Sequence, residues 1–468
     1  MRTCFTTLLI TLCCLGTAWG ADRENPRTMQ FPPLHFTIPR AERLLLDNGT
    51  PVYLLEDHEL PIVTVSALIH TGSVYDPPGK SGLAALTGAQ LRGGGTTRLT
   101  AAQLDDELEY MASSVESSFG ADSGTVTMTT LTRNLPRSLE LFGDILHHPR
   151  FDEQRFTVAR QRALEAIRRQ NDDPKELADR ELIRAIYRGH PLGVIPTAAS
   201  ITAITRTDLT AFQQRFVRPD NLIITVAGDF NRNAIVDRLN RLIGSWRPAT
   251  PLALPAVPPV PQTVTPEVLF ARKRINQTVI RLGHLGITKD DPDLYAVRLL
   301  DFILGGSFTS RLMMEIRTNQ GLAYNVDSAF DVGRRFPGTF IAETETKADT
   351  TARTISLMTS IIAGIRTAPV SAEELTLAKE SIINSFLFAF TTPASIVNQE
   401  ARLEFYGYPP DYLDRYRQRI AAVTREEVLQ AARRHLHPDA FKLVVVGDDR
   451  RFDRPLSSFG AVRTLPLP

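Results

Sequence analysis

Apolar runs flank Asn48-Gly49 in LLLDNGTPVYLLED, a pattern that predicts two strands joined by a hairpin, and PIVTVSALIH continues as a third strand. The spacing then turns helical in LAALTGAQL, AAQLDDELEYMASSV and LPRSLELFGDILHH, with SGTVTMTTL read as a strand between the last two. Residues 152–188 form a long helical stretch broken at Asp173-Pro174, because proline disfavours helix at the residue before it. Strands joined by hairpins and then covered by helices predict an α+β layer, not an alternating parallel sheet.

The pattern occurs twice. Residues 200–229, SITAITRTDLTAFQQRFVRPDNLIITVAGD, align with residues 419–448, RIAAVTREEVLQAARRHLHPDAFKLVVVGD, at one constant offset of 219 (439 − 220 = 447 − 228 = 219). Ile204/Val423, Thr205/Thr424, Pro219/Pro438 and Asp229/Asp448 hold that register without a gap. Both copies read as a helix, a Pro-Asp turn and an apolar strand ending in Gly-Asp. This is the mark of duplication, so two homologous domains are expected. Between them, SWRPATPLALPAVPPVPQTVTPE is rich in proline, which removes backbone donors and favours extended chain. The expected organisation is residues 1–20 as a leader, 21–245 as the first domain, 246–266 as the linker and 267–468 as the second domain.

Composition narrows the functional classes. With 468 residues, 43% hydrophobic and 22% charged, the chain can bury more than one core. Its 53 basic and 52 acidic side chains leave no field to attract a polynucleotide, so no nucleic-acid partner is expected. Met1-Arg2, the apolar run from Phe5 to Leu15 and Ala18-Trp19-Gly20 read as a secretory signal cleaved near Gly20-Ala21. That run is too short to span a bilayer, which takes about 20 residues, and no later segment reaches that length. Cys4, Cys13 and Cys14 all lie in the leader, so the mature chain would hold no disulfide, thiolate metal site or cysteine nucleophile. Leu12 is a poor fit to the small residue that lipid attachment at Cys13 would need.

Two segments carry candidate chemistry: GSVYDPPGKSGLAALTGAQLRGGGT at residues 72–96 and GGSFTSRLMMEIRTNQGLAYNV at residues 305–326. Both resemble motifs of the insulinase-type (M16) zinc peptidases, and with the duplicated halves the resemblance covers nearly the whole mature chain. It implies a fold of the LuxS and mitochondrial-processing-peptidase type, each domain a mainly antiparallel sheet covered by helices. In active members the first motif resembles G-L-A-H-x-x-E-H, where two histidines on one helix face bind zinc and the glutamate activates water. The matching positions here are Ala85, Gly88 and Ala89, which offer neither ligand nor base. A further zinc-binding glutamate is matched by Ala166 with Glu165 beside it, the extra residue in the run Gly93, Gly94, Gly95 leaving the register open by one position.

No H-E-x-x-H or H-x-x-E-H spacing occurs elsewhere. His147 and His148 close a helix, and His435 and His437 precede a Pro-Asp turn; for each a structural role is favoured. In the second motif, Arg311 and Tyr324 match the arginine and tyrosine that the family places near the scissile peptide. An arginine fork can hold peptide carbonyls and a tyrosine hydroxyl can donate to a developing oxyanion. Gly305 and Gly306 read equally as a helix-entry turn or as room for a peptide backbone.

In two-chain members of the family one subunit carries zinc and the other this Arg/Tyr pair. The resemblance therefore implies the non-catalytic, substrate-binding subunit of a heterodimeric zinc peptidase, exported to a Gram-negative periplasm, with no cofactor of its own and zinc in its partner. A peptide-binding or scaffold protein without a part in hydrolysis is the alternative, as in metal-free relatives that are structural subunits of respiratory complexes. A self-sufficient peptidase would need a site that the sequence does not display.

Overall fold

The hairpin expected at Asn48-Gly49 forms between β1 (Glu42–Leu45) and β2 (Pro51–Glu56), paired antiparallel with Leu45 opposite Pro51. Its connection is residues 46–50, not a two-residue turn: Gly49 takes φ 86°, and the Asn48 side-chain Oδ1 accepts from the Thr50 N–H at 3.1 Å. The computed structural model describes residues 38–262 and 265–467. The expected leader, its cleavage point and the three cysteines lie outside the described residues.

In the first half, β3 (Ile62–Ile69), β4 (Ser114–Phe119), β5 (Gly124–Leu131) and β6 (Leu222–Gly228) complete a six-stranded sheet in the order β1-β2-β6-β3-β5-β4. Every pair is antiparallel except β2 with β6. Its helices are α1 (Leu83–Gly93), α2 (Ala101–Tyr110), α3 (Leu135–His147), α4 (Glu153–Arg169), α5 (Pro174–Ile186), α6 (Ala198–Thr202), α7 (Arg206–Phe216) and α8 (Arg232–Leu239). The break at Asp173-Pro174 separates α4 from α5, and the Asp173 carboxylate accepts from the N–H groups of Lys175 and Glu176 as a cap.

The second half repeats this plan. Its sheet runs β12 (Val462–Thr464), β7 (Glu267–Arg272), β11 (Lys442–Gly447), β8 (Gln277–Leu285), β10 (Thr339–Lys347) and β9 (Ala323–Asp331), with β7 parallel to both β11 and β12. Its helices are α9 (Leu294–Leu304), α10 (Thr351–Gly364), α11 (Ala372–Ser385), α12 (Pro393–Phe405), α13 (Tyr412–Ala422) and α14 (Arg425–His435). The offset of 219 read from the sequence carries α7 onto α14. It also carries the capping box of Thr205 and Asp208 onto that of Thr424 and Glu427.

One face of each sheet packs on its own half's helices. Val63, Val65, Val126 and Met128 meet Leu139, Phe142, Phe212 and Phe216 in the first half, and Ile280, Leu282 and Phe340 meet Leu300, Ile355 and Val428 in the second. The other faces are covered reciprocally. Leu177, Ala178 and Leu182 of α5 lie on Leu269, Val279, Val444 and Val446 of the second sheet, while Val397, Ala401 and Phe405 of α12 lie on Tyr53, Leu68 and Ile223 of the first. Polar bonds fix both exchanges. Arg281, 2% exposed, donates from Nε to Asp179 on α5 at 2.6 Å, and the Tyr53 hydroxyl donates to Glu404 on α12 at 2.5 Å. The halves are separate in their sheets and interlocked in their outer layers. The described part of the proline-rich segment forms no helix or strand, docking through buried Val260 and through Pro258, whose carbonyl accepts from His190 Nε2 at 2.9 Å.

Candidate functional site

α1 follows a half-buried Asp76, whose two carboxylate oxygens accept from the N–H groups of Gly82 and Ala84 at 2.7 and 2.8 Å. Burial pushes that carboxyl up to about 6 even with those bonds. The helix so placed turns Ala85 and Ala89, four apart, to solvent on one face, and buries Gly88 against β4. A Cβ at Gly88 would stand 2.4 Å from the backbone nitrogen of Phe119, a distance that real side chains do not tolerate. The contact is reinforced by Ser117, whose hydroxyl donates to the Gly88 carbonyl at 2.6 Å and accepts from Arg92 N–H at 3.2 Å.

Ala166 is exposed on α4, and neighbouring Glu165 spends its carboxylate on Arg168 and Arg169 of its own helix, which hold it below its usual range. Zinc does not fit these positions. Three of the four hold residues with no donor atom on the helix faces where ligands are needed, and at the fourth the strand backbone has closed on the space a glutamate would occupy.

Elsewhere among the described residues, one group of three side chains approaches metal-ligand spacing: Asp291, Asp293 and His435, whose ligand atoms lie within 4.8 Å of one another. Arg434 already holds Asp293 by two bonds of 2.6 Å, and His435 Nε2 stands 2.7 Å from the same carboxylate. The trio ties the basic last turn of α14 to the N-terminus of α9, a structural arrangement. His437 packs edge-on to buried His284, and His147 stacks between His148 and Trp246 at 4.1 Å from each.

The second motif lies ahead of β9. Arg311 opens a helical segment whose residues Met313–Asn319 wind in wide π-type turns, and Tyr324 follows near the start of β9. Arg311 donates from Nε and Nη2 to the two oxygens of Glu374 at 2.7 and 2.9 Å, a bidentate pair that fixes the plane of the guanidinium. Its Nη1 forms no hydrogen bond among the described residues. Tyr324 is 84% exposed, with the Arg317 guanidinium over its ring at 4.9 Å. Glu374 is the residue that sequence reading missed. The capping box Ser371-x-x-Glu374 announces the start of α11, but nothing local says that its carboxylate also meets an arginine 63 positions earlier.

The two readings of Gly305 and Gly306 separate here. A Cβ on Gly305 would lie 2.3 Å from Ser328 N, so Gly305 is required by the close approach of the protein's own strand β9. Gly306 is exposed, and a Cβ there would stand 3.1 Å from the Asp301 carbonyl oxygen and 3.2 Å from the Phe302 Cα.

Comparisons with known proteins bear on this arrangement. A family model described as insulinase (peptidase family M16) matches residues 52–198, and one described as peptidase M16 inactive domain matches residues 203–382. The uncharacterized zinc protease YmxG of Bacillus subtilis is 23% identical over 397 residues, covering 84% of this chain and 95% of that protein. The non-peptidase homolog YmxG of Helicobacter pylori is 23% identical over 406 residues, covering 86% and 92%. Among solved structures, a peptidase M16 inactive domain from Pseudomonas fluorescens superposes with a TM-score of 0.78 at 26% identity, covering 87% of this chain and 98% of that one. The periplasmic protease PqqL of Escherichia coli shares the fold at a TM-score of 0.74 and 16% identity, over 90% of this chain and 48% of that one.

Proposed function

This chain belongs to the insulinase (M16) peptidase family as an inactive-type member, and from that premise we propose that it is the substrate-binding subunit of a two-chain peptidase. The observation that carries the reading is the contrast between its two motifs. In the first, ligand positions are exposed alanines and the glutamate position is closed by β4; in the second, Arg311 is oriented by the Glu374 carboxylate, and an exposed Tyr324 lies near the start of the following strand. An ion pair that serves only to pin a helix has no need of a solvent-facing phenol on the strand that follows. In the proposed complex Arg311 holds a peptide carbonyl through its free Nη1, Tyr324 donates to the developing oxyanion, and the metal with its activated water belongs to the partner. Glu374 is then a positioning residue. Export to the periplasm agrees with the leader expected of residues 1–20 and with the periplasmic location of PqqL, a relative in fold.

The test is reconstitution with a zinc-bearing family subunit. Tyr324→Phe removes one hydroxyl, Arg311→Ala removes the fork, and Glu374→Gln keeps the helix cap while removing the charge. Loss of one oxyanion donor costs on the order of 10²–10³ in rate, so the first two variants should lower turnover by at least roughly tenfold with assembly unchanged on size exclusion. The double variant should fall short of the product of the single effects, since both groups act on one bound peptide. Glu374→Gln should lower turnover less, through a looser Arg311. Full turnover in both single variants, with an intact complex, would leave the scaffold reading in its place.

A further inference from the structure

Between α9, α11 and α13 lies an open cavity of about 310 Å³ that the Arg311–Tyr324 unit does not use. Its walls are aromatic: Phe386 stacks on Tyr416 with ring centres 5.0 Å apart, and Tyr412 stands 5.8 Å from Tyr416. Its polar groups are unusual in being unspent. Among the described residues, the half-buried Arg298 guanidinium and the Tyr412 and Tyr416 hydroxyls form no hydrogen bond, and Arg298 has no carboxylate within ion-pair distance. Asp301, one turn along α9 from Arg298, accepts from Phe330 N–H at 3.0 Å, and burial pushes its carboxyl up to about 7, so it offers only a partial counter-charge at neutral pH.

A half-buried guanidinium with no carboxylate in ion-pair contact keeps its donors for a ligand, and with two tyrosines lining the same cavity the donor set matches an oxyanion. A cationic ligand would meet Arg298, so the aromatic walls do not form a cation cage. One guanidinium balances the single charge of a carboxylate, whereas a phosphate dianion would keep a net charge at this cavity. Two exposed aromatic residues, Phe308 at 77% and Phe388 at 75%, lie in sequence two positions from the lining residues Gly306 and Phe386. Exposed aromatic rings suit a polypeptide with apolar side chains.

We infer that this cavity binds the carboxylate of an apolar polypeptide segment, held by Arg298 with the Tyr412 and Tyr416 hydroxyls while flanking side chains rest on Phe308 and Phe388. The inference stands whether or not the chain supports hydrolysis in a complex. The carboxylate has two sources, a chain terminus or an acidic side chain, and three probes separate them. The first is an N-terminally fluorescein-labelled hexapeptide Leu-Ala-Phe-Leu-Ala-Phe as the free acid, the second its C-terminal amide, and the third the amide with glutamate at the fourth position.

Fluorescence anisotropy on the full chain should show at least one carboxylate peptide binding about tenfold more tightly than the neutral amide, the size of one charge-assisted hydrogen bond. Tighter binding of the free acid assigns a terminus; tighter binding of the glutamate peptide assigns a side chain. Arg298→Gln should bring the preferred peptide down to the level of the amide, and Tyr416→Phe should weaken it about threefold with melting temperature unchanged. Equal binding of all three peptides, no binding of any, or an unchanged affinity in folded Arg298→Gln would each overturn the inference. The wild-type comparison of acid with amide decides the matter even if the Arg298 variant does not fold.

Discussion

Helix propensity alone would favour alanine over glycine at position 88 by about 1 kcal/mol, because glycine loses more backbone freedom in a helix interior. Packing reverses that preference. A Cβ 2.4 Å from Phe119 N can be relieved only by moving α1 or β4, since the atom it meets is backbone and not the end of a flexible side chain. Overpacking of this kind costs about 1–3 kcal/mol, so Gly88→Ala should be net destabilising in urea unfolding. A more stable variant would show that the close approach does not constrain the helix. The same geometry bears on revival of the metal site. A chain carrying Ala85→His, Gly88→Glu and Ala89→His together should still bind no stoichiometric zinc in metal analysis, because Ala166 leaves the two histidines without a third protein ligand and a glutamate at position 88 has no room beside the strand.

At the scale of an element, β8 delivers His284 into the protein interior. It is 5% exposed, stacks on Phe340 and Phe441, donates from Nδ1 to the Leu285 carbonyl at 2.7 Å and accepts at Nε2 from His437 N–H at 3.2 Å. Both ring nitrogens are satisfied only in the neutral form, since a second ring proton would face another N–H. Burial, and after it the neighbouring His437 and His435, lowers its pKa from 6.5 to about 4. Between those values the unfolded chain takes up a proton that the native chain refuses, so stability falls as pH falls through that window. The slope attributable to this group approaches about 1.4 kcal/mol per pH unit. Urea unfolding at a series of pH values should show a shallower acid slope in His284→Gln than in the wild type. Equal slopes would mean that His284 does not stay neutral in the fold.

At the scale of the whole molecule, the exchange of α5 and α12 makes each half incomplete without the other. Residues 38–245 alone would expose Tyr53, Leu68 and Ile223 on the sheet and Leu177 and Leu182 on an undocked α5; residues 246–468 alone would expose the complementary surfaces. Each such side chain is worth about 1.5–3 kcal/mol when buried, so several together exceed what a lone domain can forgo. Expressed singly, the halves should aggregate or bind a hydrophobic dye; co-expressed, they should purify as one complex. Limited proteolysis should enter the exposed stretch of residues 251–257, and the nicked halves should still co-elute under native conditions. Two monomeric, cooperatively folding halves would contradict the interlock.

What the sequence determined by itself was everything local in period or in chemistry. The 219-residue offset foretold the second helix–turn–strand unit, Asp173-Pro174 foretold the boundary between α4 and α5, and Ala85, Gly88 and Ala89 offer no donor atom where the family resemblance expects two ligands and a base. These follow because turns, caps and donor atoms are properties of a few adjacent residues. The tertiary structure alone decided which sheet each amphipathic helix would cover, that β4 would close on Gly88, that Glu374 would orient Arg311, and that Arg298 would face a cavity shared with Tyr412 and Tyr416. An apolar stripe states that a helix must be buried, not against what. A lone arginine or glycine carries no mark of the partner that the folded chain brings to it from 30 to more than 100 positions away.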